Sequence, residues 1–227
     1  MPSCPSCVAV ARGAWCPMLC RPGASSITPS GHGVVTAPGS GSTLPCAVTS
    51  GVLAGRHRQP SAALSDSQSV TTTDRGGEHG CAGAQLVTGR QLPIRVDTLG
   101  WLIAVVVTAA SVPDRDGAKQ LWGSRRHWFT RRRCGWADGA YAGFLETWGT
   151  WRRRYRTVRW EISKRSDQLK GFGVLPKRGS VERTCGWFGK YRRLSKDYAY
   201  RTDTSEAMIY VVMRHIMVRR IAAKAPF

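Results

Sequence analysis

LPIRVDTLGWLIAVVVTA, residues 92–109, contains most of the chain's strongest apolar run, WLIAVVVTAASV (101–112). That run is too short to cross a bilayer as a helix, which takes about 20 residues. Its β-branched residues suit a buried strand. Asp97 to Gly100 supplies turn chemistry between it and the preceding PIRV, so the stretch predicts two strands folded around an Asp97–Gly100 turn.

Working outward, SAALSDSQSV (61–70) predicts a short strand ending at Asp66, and DRDGAKQLW (114–122) a short helix. RCGWAD (133–138) predicts a strand, AGFLETWGTWRRR (142–154) a helix, and VRWEISKRS (158–166) alternates as a strand does. SVERTCGWFGKYRRL (180–194) has helical spacing. DTSEAMIYVVMRHIMVRRIAA (203–223) predicts a helix with Asp203 as N-cap, Glu206 closing a capping box and cations at its end. The order β, ββ, α, β, α, β, α, α predicts an α/β fold, a mixed sheet with flanking helices. Such sheets place their sites at the carboxyl ends of strands.

Residues 1–55 differ from the rest. They are rich in Pro, Gly, Ser, Thr and Cys, almost uncharged and without sustained periodicity, which predicts a poorly structured segment before a globular domain over 56–227. Cys4-x-x-Cys7 and Cys16-x-x-x-Cys20 offer a zinc-site alternative, but the spacer between the pairs is shorter than usual. Five of the eight cysteines precede residue 50 and the other three are scattered, the usage of a reduced, intracellular chain. No signal peptide and no membrane partner are expected.

The formal net charge is +20. Residues 1–100 hold 7 Lys/Arg and 4 Asp/Glu, whereas residues 101–227 hold 27 and 10. A polyanion such as nucleic acid is the natural partner, and the C-terminal half builds its surface. Within this basic half, WADGAYAG (136–143) ends a strand on a lone acid, Asp138. Asp66 and Glu182, the latter in the first turn of a helix, are the other acids that stand out by context. Converging carboxylates repel one another unless divalent metal lies between them, and their oxygens suit Mg²⁺ or Mn²⁺. Two such ions about 4 Å apart activate one oxygen at phosphorus and stabilise another. The bland alternatives are a turn former at Asp138 and a dipole partner at Glu182.

Several stretches, in order, resemble the DDE transposases of bacterial insertion elements, in particular the insertion-sequence-five-like group. DSQSV (66–70) is similar to the first catalytic segment of that family, and WADGAYAG (136–143) to the second. VDTLGWLIAVVV (96–107) with ASVPDRDGAK (110–119) is similar to the connecting hairpin and helix. KRSDQLKGFGVLPKR (164–178) with VERTCGWFGKYRRLSKDY (181–198) resembles the third segment and its basic tail, and TSEAMIYVVM (204–213) the closing helix. The resemblance covers roughly residues 56–222.

It implies a ribonuclease-H-like fold, with Asp66, Asp138 and Glu182 as catalytic and metal-binding residues for two Mg²⁺ or Mn²⁺ ions. The implied reaction is attack by water on the DNA backbone at the element's ends, then attack of the freed 3′-hydroxyl on target DNA. Arg178, four residues before Glu182, would bind a phosphate. Arg183, Lys190, Arg192, Arg193 and Lys196 complete the DNA-binding set. Gly186 and Gly189 share the face of Glu182 and would let the sheet or DNA come close, while Trp187 and Phe188 point to the core. Family members act on DNA ends as assemblies, which implies a homo-oligomer in the bacterial cytoplasm, associated with the nucleoid. The family's N-terminal helical region has no counterpart in 1–55, as a truncated or frameshifted N-terminus would explain, and the chain could be an inactive remnant. The alternative function is a basic nucleic-acid-binding protein without catalysis.

Overall fold

The computed structural model describes residues 40–83, 86–123, 131, 133–141, 143, 147, 158–163 and 179–224. The predicted helix over 142–154, the cysteine pairs before residue 21 and Arg178 lie outside the described residues, apart from isolated positions.

Helix α1 (Ser40–Leu53) leads into strands β1 (Ala62–Thr71), β2 (Gly80–Ala82), β3 (Val87–Val96), β4 (Leu102–Val105) and β5 (Thr108–Ala109). Helix α2 (Asp114–Gly123), strand β6 (Cys134–Asp138), a 3₁₀ turn (Gly139–Tyr141) and strand β7 (Arg159–Ser163) follow. Helices α3 (Gly179–Gly189), α4 (Arg192–Ser195) and α5 (Thr202–Lys224) close the order. The strands form one mixed sheet in the order β2-β3-β1-β6-β7, with β4 and β5 also on β3. β3 runs antiparallel to β1, while β6 and β7 run parallel. The α/β expectation is met, a curled mixed sheet with flanking helices.

The hairpin forms as its sequence predicts, with Gly100 at φ +85° in the turn. The apolar run after it is not one strand. Pro93 in β3 has no N–H for the ladder, and opposite it the run splits into β4 and β5. The Val107 N–H instead donates to Glu206 Oε1 (3.1 Å) on α5. β1 also departs from expectation: it continues through Asp66 to Thr71, because β3 pairs with it along its whole length from Leu64 to Thr71.

The sheet has two covered faces. Leu64, Ile94, Val96 and Leu102 lie under Val181 and Phe188 of α3, Ile209, Met213 and Met217 of α5, and Cys46 of α1. The other face packs Ala63 and Ala137 against Ala118 and Trp122 of α2. There Trp122 meets Trp160 edge-on at 4.6 Å and the Arg95 guanidinium lies 4.6 Å above the Trp122 ring. Gly135 allows this close approach, since a Cβ there would sit 2.8 Å from the Trp160 ring.

The expectation of an unstructured 1–55 is corrected for its last part. In α1 the buried Thr43, Cys46, Ser50 and Gly51, with half-buried Ala47, recur at helical spacing, and the helix packs on α5. The predicted helix over 180–194 is in fact two, broken at Lys190–Tyr191. The predicted cap of the last helix also changes. α5 begins at Thr202, Asp203 pairs with Arg201 (2.7 Å), and Glu206 reaches Val107 on the sheet.

Candidate active site

β1 and β6 are paired with a constant offset, Ala62 to Cys134 and Leu64 to Trp136. Asp66 and Asp138 lie two residues further along each strand, so the same register sets them side by side just past the ladder's end. Side chains two apart share a sheet face. Both aspartates therefore fall on the face covered by α3, the helix that carries Glu182. α3 packs directly on β1 and β3.

Each aspartate accepts a backbone N–H from the residue after it, Ser67 N to Asp66 Oδ1 (2.9 Å) and Gly139 N to Asp138 Oδ1 (2.6 Å). Electrostatics ties the three acids together through two neutral neighbours. Burial raises Tyr141 above the ordinary tyrosine range, against a hydrogen bond with Ser67, and Asp114, Asp66 and Asp138 add to the rise. Burial likewise pushes the Cys185 thiol up to about 12, with Asp66 and then Glu182 adding to it. Asp66 thus acts on both groups, Asp138 on Tyr141 and Glu182 on Cys185. The donor chemistry, hard carboxylate oxygens, suits a divalent ion. The spacing does not close around one: among the described residues no three His, Cys, Asp or Glu side chains form a group that could hold a metal.

Beneath Asp66, the Ser67 hydroxyl bonds Asp114 Oδ1 (3.0 Å), which also accepts from Gln91 Nε2. This ties β1, β3 and α2 together next to the site. Ser67, Gln91, Asp114 and Tyr141 were not singled out from sequence. DSQSV and PDRDG read as turn or helix-start chemistry, and no local spacing shows that strands 47 residues from Asp114 bring Ser67 to it.

The seat of Glu182 is the β3–β4 turn. Thr184 Oγ1 donates to Gly100 O (2.8 Å), Ser180 Oγ to Thr98 O (3.1 Å) and Arg183 Nη2 to Leu99 O (3.3 Å). The turn is itself organised by Asp97, whose Oδ1 accepts the N–H of Leu99 (2.9 Å) and of Trp101 (2.8 Å). Burial raises Asp97 to about 6 despite those two bonds, a third from Gly100 and the field of Arg56.

The basic residues divide. Arg183 is turned to the Leu99 carbonyl and lies 5.4 Å from the Trp187 ring. Arg220 of α5 sits over Trp187 (4.0 Å) and Trp101 (4.8 Å); burial, then Arg183, lowers its pKa. Lys190 and Arg192 are exposed, Lys196 is half-buried, and Arg193 borders a small cavity beside Val70 and Asp197. The glycine expectation is corrected in part. Among the described residues, none outside the helix itself comes within 4 Å of where a Cβ would stand at Gly186 or Gly189, so the described sheet does not approach that face of α3. Phe188 is buried and Trp187 packs against the core, as expected.

A family model described as "Transposase DDE domain" matches residues 57–217. The chain belongs to the transposase DDE domain family. A search of curated proteins finds no match. Among the described residues no helix is long and apolar enough to cross a membrane.

Proposed function

We propose that residues 56–227 form the catalytic domain of an insertion-element transposase of the insertion-sequence-five-like group, cutting DNA and joining its 3′ end to a target. The observation that supports this reading is the parallel β1–β6 register, which runs to Leu64 and Trp136, two residues before Asp66 and Asp138, on a sheet against which the helix of Glu182 packs. The strand order supports a ribonuclease-H-like fold: an antiparallel hairpin on one side of β1, parallel β6 and β7 on the other. Asp66, Asp138 and Glu182 are the catalytic acids. Asp66 and Asp138 would hold a divalent ion, Mg²⁺ or Mn²⁺, with Glu182 completing the set for two. When bound, such ions neutralise the carboxylates and stabilise charge on the phosphate oxygens.

The protein's own part is positional. Backbone N–H groups of Ser67 and Gly139 orient the two aspartates. The Asp97 turn holds α3, and so Glu182, against the sheet. Lys190, Arg192, Arg193 and Lys196, together with Arg178 and Arg183, supply cations for DNA phosphates. The partner is DNA, and the chain works as a homo-oligomer in the bacterial cytoplasm, at the nucleoid.

The test is nicking of supercoiled plasmid by the full chain with Mg²⁺ or Mn²⁺. Nicking should vanish in Asp138→Ala while DNA binding stays. Nicking that survives this change rejects the triad. Binding with no nicking under either ion favours the non-catalytic, phosphate-clamping alternative, or a chain that has lost its activity.

A further inference from the structure

A cavity of about 480 Å³ lies between α1, the linker that enters β1 and the β3–β4 turn. It sits at the opposite ends of β1 and β6 from Asp138, and nothing in the proposed chemistry uses it. Its volume is in the range of small-ligand sites. Arg56, His57, Arg58 and Arg131 border it, all exposed, and the indoles of Trp101 and Trp136 form part of its wall. Among the described residues none of the three arginines forms an ion pair, although the field of Arg56 reaches the carboxylate of Asp97, which also borders the cavity. The Trp101 indole N–H is sealed from water and has no acceptor among the described residues.

Clustered guanidinium groups ask for an anion with several oxygens, and phosphate matches their forked geometry. Indole faces stack on bases whatever the sequence. We propose that this cavity takes one unpaired nucleotide of a DNA strand, its phosphate among Arg56, Arg58 and Arg131 and its base against the half-buried indole of Trp136. The inference rests on the reading of the chain as a DNA transposase and adds a second point of contact to it.

The cavity also backs onto the triad. Thr98 and Leu99 border it, and their carbonyls accept from Ser180 and Arg183 of the helix that carries Glu182. Trp136 borders it two residues before Asp138.

The test uses the full chain and fluorescein-labelled 20-base-pair duplexes, one fully paired and one carrying a single unpaired adenosine, followed by anisotropy. Wild type should prefer the unpaired-base duplex by about tenfold, and Arg58→Ala with Arg131→Ala should abolish that preference. Both side chains are exposed, so the thermal midpoint should not move. Equal binding of the two duplexes by wild type overturns the proposal, as does a preference that survives the double change. Free dAMP is the other source of the same chemistry. Saturation by dAMP with no displacement of the duplex would assign the cavity to a small nucleotide and also overturn it. Asp138→Ala should keep the preference, so a failed triad and a failed cavity give different results.

Discussion

Asp97 shows how one side chain can serve geometry at the expense of stability. Its oxygen binds two N–H groups of the turn, yet burial raises its pKa to about 6. An unfolded Asp titrates near 3.9. The folded form therefore holds the proton more tightly, so the contribution is fully present below about pH 4 and is lost as pH rises through about 6. Stability should fall across that window, by about 2–3 kcal/mol at most from this group. Asn at this position can accept the same two bonds without a charge. Asp97→Asn should flatten the profile between pH 4 and 6 and raise the urea midpoint at pH 7; a midpoint that drops would show that the charge itself holds the turn. Arg90 is the opposite case. It is fully buried and bonds Asp197 (2.8 Å), the carbonyls of Glu78, Ala199 and Tyr200, and Ser205 Oγ (3.0 Å). Arg90→Ala leaves Asp197 without its cation and should cost about 3–5 kcal/mol in urea denaturation.

Single elements show what was legible in the sequence and what was not. The β3–β4 hairpin was legible because DTLG carries its turn chemistry locally, and Asp66, Asp138 and Glu182 because the quoted segments resemble a family in order. The extension of β1 was hidden because SDSQS, polar and small, reads as a loop; only pairing with β3 makes it strand. α1 was hidden for a related reason. Its buried stripe is Thr43, Cys46, Ser50 and Gly51, side chains too small to register as hydrophobic, and Pro45 falls within it. That stripe works against α5 and the core cluster, so the helix is a tertiary product rather than a propensity. The split at Pro93 follows from a missing donor, visible in sequence once the pairing is known. Gly100 belongs to this scale too. At φ +85° with Thr184 Oγ1 2.8 Å from a would-be Cβ, Gly100→Ala is both strained and crowded. It should destabilise by about 1–3 kcal/mol and displace α3. Nicking should fall while duplex affinity holds; an equal loss of both would mean that the turn serves DNA binding instead.

Across the whole molecule, charge and cover are separately arranged. The basic strip after Glu182 leaves the helix at Lys190 and continues on α4 and the segment after it. If those cations meet phosphates, each one removed should lower the salt dependence of binding by about one unit in slope. Replacing Arg192, Arg193 and Lys196 by Ala should thus reduce it by about three, measured by anisotropy between 50 and 200 mM salt. An unchanged slope would return the strip to plain solvated surface.

α5 gives the sheet much of its roof, with Ile209, Met213 and Met217 each about 1% exposed or less. During synthesis these side chains leave the ribosome last among the described elements, after every strand has emerged. Until then the lid over Leu64, Ile94 and Val96 is incomplete, and a greasy plane faces solvent or a chaperone. A ribosome that stalls before residue 202 would release a fragment whose apolar sheet face is uncovered, and that fragment should aggregate rather than persist as a weakened fold.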